Sequence, residues 1–318
     1  MCNGGSESYI RASRSLWTET RVSRPATRPT PAQTDMPDIV FFNGSYLDRD
    51  QVRISPDDRG FLFADGIYEV VRFYGGRPFE LQAHLARMVN GLRSLRIDGV
   101  DADMVETMVP ELLNRNGLSG SDALLYLQIT RGVAPRVHHF PDEKTEPTVF
   151  ASVRAFSPSV DPAVGAAVIT APDHRWTRCD IKTVALLPNC MAAQDAHERG
   201  AVEAVLVRDG VALEGTRSSF FGVIDGEVRT APRTNYILPS VTRAVTLELC
   251  REDGIPFDER PILLEELEIA DEIFLVGTTT EILPIIRLDG RNVQDGRPGP
   301  VALRLAELFR ARTESGAR

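Results

Sequence analysis

Short apolar runs closed by tight-turn residues open the patterned part of the chain. DIVFFNGSYL reads as two strands around Asn43-Gly44, because Asn-Gly supplies the positive φ angles a two-residue hairpin needs. GIYEVVRFYGGRPFEL repeats the motif around Gly75-Gly76. The period then changes. Leu81, Leu85, Met88, Leu92 and Leu95 recur at helical spacing and predict a helix over 81–96, with a second near 103–115. LLYLQITRG and PTVFASVRAF read as strands. SPSVDPAVG, residues 157–165, breaks the pattern with two prolines and a glycine, and a domain boundary is placed there.

Beyond it, GAAVITAP predicts a strand. A helix follows over about 188–199, with Pro188 tolerated in its first turn and Gly200 ending it. AVLVRDGVALEG and SFFGVIDGEVRTAP read as hairpins on Asp-Gly turns. Further helices are predicted near 240–252, 263–269 and 300–313, with the strand EIFLVGT between the last two. Hairpin-linked strands with helices interspersed predict an α+β fold in two domains, a smaller one over 37–156 and a larger one over 166–318. Residues 1–36 carry no apolar period. They are rich in Arg, Ser, Thr and Pro and are expected to be a disordered extension, either a transit peptide or a dispensable leader ahead of a natural start at Met36.

Composition narrows the function. The 318 residues suit about two domains. A formal charge of -9 argues against a nucleic-acid binder, which needs a positive face. No run of 18 apolar residues exists to span a membrane. The four cysteines lack C-x-x-C spacing, no secretory signal is visible, and a cytoplasmic location is expected. Phosphate-loop, Rossmann and nucleophile-elbow motifs are absent, and nothing proposes a metal site.

One count matters for chemistry. Of 36 basic residues only Lys144 and Lys182 are lysines. Lys144 sits among charged and turn residues. Lys182 lies among Ile181, Val184, Leu186 and Leu187, where desolvation lowers an amine's pKa and suits it to form a Schiff base. Arg136 and His138 face one spot if PRVHHFP is extended, as a carboxylate clamp or as ordinary loop charges. Ser240 opens a helix whose first amides, at Val241 and Thr242, make an anion site or simply a capped helix start. VGTTTEI offers hydroxyls after a strand, and Arg87 flanks an apolar helical stripe. Glu214 ends a strand, as a turn residue or as the partner of a protonated ring nitrogen.

Together these segments resemble the class IV, or fold type IV, pyridoxal-phosphate aminotransferases, and most closely the D-amino-acid aminotransferase group. The resemblance covers about residues 38–312. It rests on RGFLFADGIYEVVRFYGGRPFELQAHLARM, on the R-x-H element in YLQITRGVAPRVHHFP, on WTRCDIKTVALLPNCMAAQDAHERGAVEAVL, and on ILPSVTR and LVGTTTEILP. It implies that Lys182 binds the aldehyde of pyridoxal 5′-phosphate covalently and shuttles the substrate proton. Glu214 would pair with the pyridine nitrogen. Arg87 of the smaller domain and Val241, Thr242, Thr278 and Ser218 of the larger, cofactor-binding domain would hold the cofactor. Tyr68 would line the substrate side. Arg136 and His138 would bind the substrate carboxylate from the neighbouring subunit of a homodimer with shared sites. The substrates implied are D-amino acids of the D-alanine and D-glutamate type and 2-oxo acids.

The chain departs from the family after Glu214-Gly215, where Thr216-Arg217-Ser218-Ser219 replaces a run of serines and an asparagine. Arg217 is then a new cation near the pocket. It binds a substrate carboxylate, α or distal, or is a surface strand residue. The nearest rival is a branched-chain L-amino-acid aminotransferase on the same fold, followed by an (R)-amine transaminase or an aminodeoxychorismate-type lyase.

Overall fold

The computed structural model describes residues 38–315; the extension 1–36 lies outside them. The described residues all belong to one compact unit, Pro37–Arg318. Its first part contains β1 (Ile39–Phe42), β2 (Ser45–Asp48), α1 (Arg59–Phe63), β3 (Gly66–Tyr74), β4 (Arg77–Pro78), α2 (Leu81–Leu95), α3 (Ala102–Arg115), β5 (Ala123–Thr130) and β6 (Thr148–Ala155). The six strands form one antiparallel sheet in the order β2-β1-β6-β5-β3-β4. The Asn43-Gly44 hairpin forms, with φ of 46° and 86° at its two turn residues. The α2 stripe packs as its spacing predicts: Leu85, Met88 and Leu92 share a core with Val105, Met108 and Leu112 of α3 and Ile67, Val71 and Leu127 of the sheet.

The chain continues into β7 (Ala166–Pro172), α4 (Leu187–Glu198), β8 (Glu203–Arg208), β9 (Val211–Gly215), β10 (Ser219–Ile224), β11 (Glu227–Thr230), α5 (Val241–Asp253), β12 (Phe257–Asp258), β13 (Ile262–Leu263), β14 (Glu272–Gly277), β15 (Glu281–Leu288), β16 (Arg291–Asn292) and α6 (Pro300–Ser315). These ten strands make a second sheet. Its path runs β10-β14-β15-β7-β8-β9 and returns to β10 where Ser219 pairs with Glu214, so the sheet closes on itself. Period-two alternation fills both sides of the wall. Phe220 and Ile224 join Val168, Val205, Leu275 and Ile285 in one core. Phe221 and Val223 turn the other way, against Val245 and Leu249 of α5 and Leu305 and Phe309 of α6.

Three features differ from the sequence reading. The expected helix over 263–269 is a single 3-10 turn, Leu264–Glu268. The five-residue helix α1 and the strand β15 were not anticipated, since both are shorter or less regular than their neighbours. The second sheet is not purely antiparallel: β7 pairs parallel with β8 and with β15. A parallel pair needs a long crossover, and the β7–β8 connection supplies it through residues 173–186 and α4.

Under the first sheet, Asp65 accepts hydrogen bonds from Arg59 Nε at 2.8 Å and Arg131 Nε at 2.7 Å, with all three side chains buried. Arg59 also donates to the carbonyl of Val137 at 2.7 Å, tying α1 to the loop that carries Arg136 and His138. Removing Asp65 leaves two buried guanidiniums uncompensated. The Asp65→Ala variant is expected to lose about 3–5 kcal/mol of unfolding free energy in urea denaturation; a loss below about 1 kcal/mol contradicts this reading.

Candidate active site

The β7–β8 crossover delivers Lys182. β4 covers only Phe73 and Tyr74 of β3, which leaves the strand's first residues with an open edge. The crossover fills it. Tyr68 N–H donates to the Lys182 carbonyl at 3.0 Å and Val184 N–H donates to the Gly66 carbonyl at 3.1 Å. Ile181 is buried in the first core. The Lys182 side chain enters a cleft that is also lined by Tyr68, Arg87, Glu214, Arg217 and Thr278. Its Nζ lies 4.2 Å from the centre of the Tyr68 ring. Burial, with Arg87 adding its charge, lowers the amine's pKa to about 8, against the pull of Glu69 and Glu214.

Arg87 is held from behind. Its Nε and Nη2 donate to the two oxygens of Glu69, each at 2.7 Å, and Nη1 donates to the Pro239 carbonyl at 3.1 Å. His84, one turn before Arg87 on α2, places Nδ1 3.0 Å from the same carboxylate. Burial alone would raise the Glu69 pKa, but Arg87 and His84 outweigh it and hold the carboxyl at about 2. Gly91 keeps this face of α2 close to β3: a Cβ there would lie 3.2 Å from Ile67.

Glu214 sits where the second sheet closes, buried, and accepts the Leu238 N–H at 3.1 Å and a short bond from Arg175 Nη1. Burial pushes its carboxyl up while Arg175 pulls against it. Arg175 in turn donates to buried Asp173 from Nε at 2.9 Å and Nη2 at 3.1 Å. A buried carboxylate beside a cationic group is suited to hold a positively charged ring nitrogen.

The turn after Glu214 forms another wall. Glu203, buried on β8, accepts the Arg217 N–H at 2.7 Å and the Ser218 hydroxyl at 2.8 Å. Asn189 of α4 donates to the Thr216 carbonyl at 2.7 Å. Only glycine fits at 215, because a Cβ there would come within 2.3 Å of Glu203. The Arg217 side chain lines the cleft yet is 65% exposed. Across from this turn, Ser240 caps α5 by accepting the Arg243 N–H at 3.2 Å, so the helix's positive end faces the region of Arg87. Ser240 and Thr278 line the cleft; Val241 lines an adjoining cavity with Arg87, and Thr242 is buried behind it.

Arg136 and His138 do come together, but elsewhere. Both lie against the Phe63 ring, at 5.3 and 5.7 Å, exposed and outside the residues lining the Lys182 cleft. The sequence reading passed over Glu69, His84, Asp173, Arg175 and Glu203. Four act through a side chain from another element, and Asp173 acts through Arg175, two residues along. Only the closeness of Arg175 to Lys182, seven residues along, and of Glu69 to Tyr68 offered a signal.

Comparison with known proteins places this geometry. The family model for amino-transferase class IV matches residues 66–288. A D-alanine aminotransferase from Staphylococcus haemolyticus is 37% identical over 278 residues, covering 87% of this chain and 98% of that protein. One from Bacillus licheniformis is 38% identical over 263 residues, covering 82% and 92%. A branched-chain aminotransferase from the thermophilic archaeon Thermoproteus uzoniensis, solved with norvaline, matches with a TM-score of 0.79 at 25% identity, covering 89% of this chain and 96% of that one. The chain belongs to the class IV aminotransferases. Its cofactor is pyridoxal 5′-phosphate, and the donor set fits: a desolvated amine for the aldehyde, a buried carboxylate for the ring nitrogen, and a guanidinium beside a helix N-terminus for the phosphate.

Only the neutral amine attacks an aldehyde, and its fraction grows as pH rises through the pKa. Covalent capture of pyridoxal phosphate by the apoprotein, trapped with borohydride and read as a mass increase, is therefore expected to rise with a midpoint near pH 8 and to vanish in Lys182→Arg. A midpoint above pH 10 contradicts the burial argument.

Proposed function

We propose that the chain moves the amino group of a D-amino acid, of the D-alanine and D-glutamate type, to a 2-oxo acid. The observation that carries the chemistry is the Lys182 amine, desolvated and facing the same cleft as Glu214. The D-side assignment rests on identities of 35–38% to D-alanine aminotransferases along most of the chain. The likeness to branched-chain enzymes is one of shape, at 25% identity or less in sequence, and weighs less.

When bound, pyridoxal phosphate supplies an aldehyde for the substrate amine and a ring that accepts the electron pair left by Cα deprotonation. The chain's residues do the rest. Lys182, with a pKa near 8, takes the Cα proton as a base and gives it back as an acid. The Tyr68 ring beneath its amine limits the directions the side chain can take. Glu214 keeps the ring nitrogen protonated, and the Arg175–Asp173 pair holds that carboxylate in place. Arg87, the first amides of α5 at Val241 and Thr242, the Thr278 hydroxyl and the Ser218 region secure the phosphate. Ser218 serves through its backbone, since its hydroxyl is given to Glu203.

Arg136 and His138 bind the substrate's α-carboxylate in the cleft of a second copy, and the enzyme works as a homodimer. Their exposed position on Phe63, with Phe61 at 76% and Val133 at 52% exposure beside them, supports this, because such an apolar rim is stabilised by a covering partner. The two separate sheets support a reading as a smaller domain over 37–156 and a larger, cofactor-binding one over 166–318, joined by 157–165. No described helix is long and apolar enough to cross a membrane.

The visible spectrum of the holoenzyme tests this directly. D-Alanine without any 2-oxo acid is expected to bleach the cofactor band, and L-alanine and L-leucine are expected to leave it. Bleaching by the L-amino acids alone would move the enzyme to the branched-chain side.

A further inference from the structure

Three guanidinium groups line the Lys182 cleft: Arg87, Arg175 and Arg217. Two are tightly held from behind. Arg87 is locked on both oxygens of Glu69, and Arg175 on Asp173 and Glu214. Arg217 is held differently. Its backbone is fixed by the 2.7 Å bond from its N–H to buried Glu203, and the turn by Asn189. Its head is loose, with Nε 3.5 Å from Glu203 and Nη2 3.4 Å from the Val202 carbonyl. Such long contacts on an exposed side chain are weak. Glu203 cannot tighten its hold easily, because one of its oxygens already accepts the Arg217 N–H and the Ser218 hydroxyl.

A rigid stem with a loosely held cation at the outer wall is suited to meet an anion that arrives with the substrate. The proposed function fixes which anion. The substrate's amine would be taken by the cofactor beside Lys182, inside the cleft. Its α-carboxylate, on the same carbon, is the group given to Arg136 and His138 of the second copy. A carboxylate two or three carbons further along the side chain extends toward the outer wall, where Arg217 stands. We propose that Arg217 recognises the distal carboxylate of acidic substrates, five-carbon dicarboxylates such as D-glutamate and 2-oxoglutarate, and so sets the enzyme's preference for them over D-alanine and pyruvate. A guanidinium binds a carboxylate through two parallel N–H bonds, whereas lysine offers only a point charge.

The inference rests on the transaminase reading, and the test separates the two. Steady-state constants are compared for wild type, Arg217→Gln and Arg217→Lys. In Arg217→Gln, kcat/KM for D-glutamate and 2-oxoglutarate is expected to fall roughly 10- to 100-fold, through KM, the scale of one charge-assisted hydrogen bond. The values for D-alanine and pyruvate are expected to change by less than about threefold, and Arg217→Lys to recover part of the loss. Calorimetry on the holoenzyme supplies a readout independent of turnover: wild type binds glutarate more tightly than butyrate, and Arg217→Gln loses that preference. Equal losses for both substrate classes, no loss for either, or a wild type without preference for glutarate overturns the inference. A holoenzyme that prefers glutarate through Arg217 but turns over no D-amino acid would leave the inference standing and sink the transaminase reading instead.

Discussion

Two backbone hydrogen bonds, from Tyr68 to Lys182 and from Val184 to Gly66, govern where the reactive amine can be. They use an edge of β3 that the short strand β4 leaves uncovered, so a connection belonging to the second sheet is stitched onto the first. Ile181 buries itself in the first core on one side of Lys182, and the side chain has only the cleft left to enter. Desolvation there costs the ammonium form more than the neutral amine, which is how an ordinary lysine becomes a base near neutral pH. Without the stitch, the segment 173–186 would be a surface loop and Lys182 a solvated cation.

The cations around that amine follow a common plan. Each has a carboxylate behind it: Glu69 behind Arg87, Asp173 behind Arg175, Glu203 behind Arg217. The arrangement keeps the cleft from accumulating uncompensated positive charge, which would drive the Lys182 amine lower still. It also fixes geometry, because a two-point guanidinium–carboxylate contact leaves little freedom. The grip loosens from Arg87, with two contacts at 2.7 Å, to Arg217, with one near 3.5 Å. That gradient runs from the phosphate end of the cleft, where the ligand is always the same, to the outer wall, where substrates differ.

Much of this was readable from residues close in sequence. The hairpins announced themselves through Asn-Gly and Asp-Gly pairs, and α2 through its leucine spacing, because both signals are local. Lys182 stood out because only one other lysine exists, and its apolar neighbours foretold its burial. The closing of the second sheet was not readable. It depends on one pairing, Ser219 with Glu214, between strands whose other partners give no hint of it. Nor were the supporting carboxylates. Glu69 and Glu203 meet their arginines only through the fold, 18 and 14 residues away, while Asp173 lies two residues from Arg175 in a connection with no pattern to mark it. Two-residue spacing put Arg136 and His138 at one spot as a carboxylate clamp; in this chain both lie against Phe63 rather than beside Lys182.

The central claim is that the fold removes one particular amine from water. With only two lysines in the chain, heteronuclear NMR of protein labelled at lysine gives a nearly empty spectrum in which each side chain can be titrated. The signal that disappears in Lys182→Arg is predicted to titrate in the apoprotein at about 8. Titration of that signal near 10.5, the value for an unburied lysine, would contradict the account.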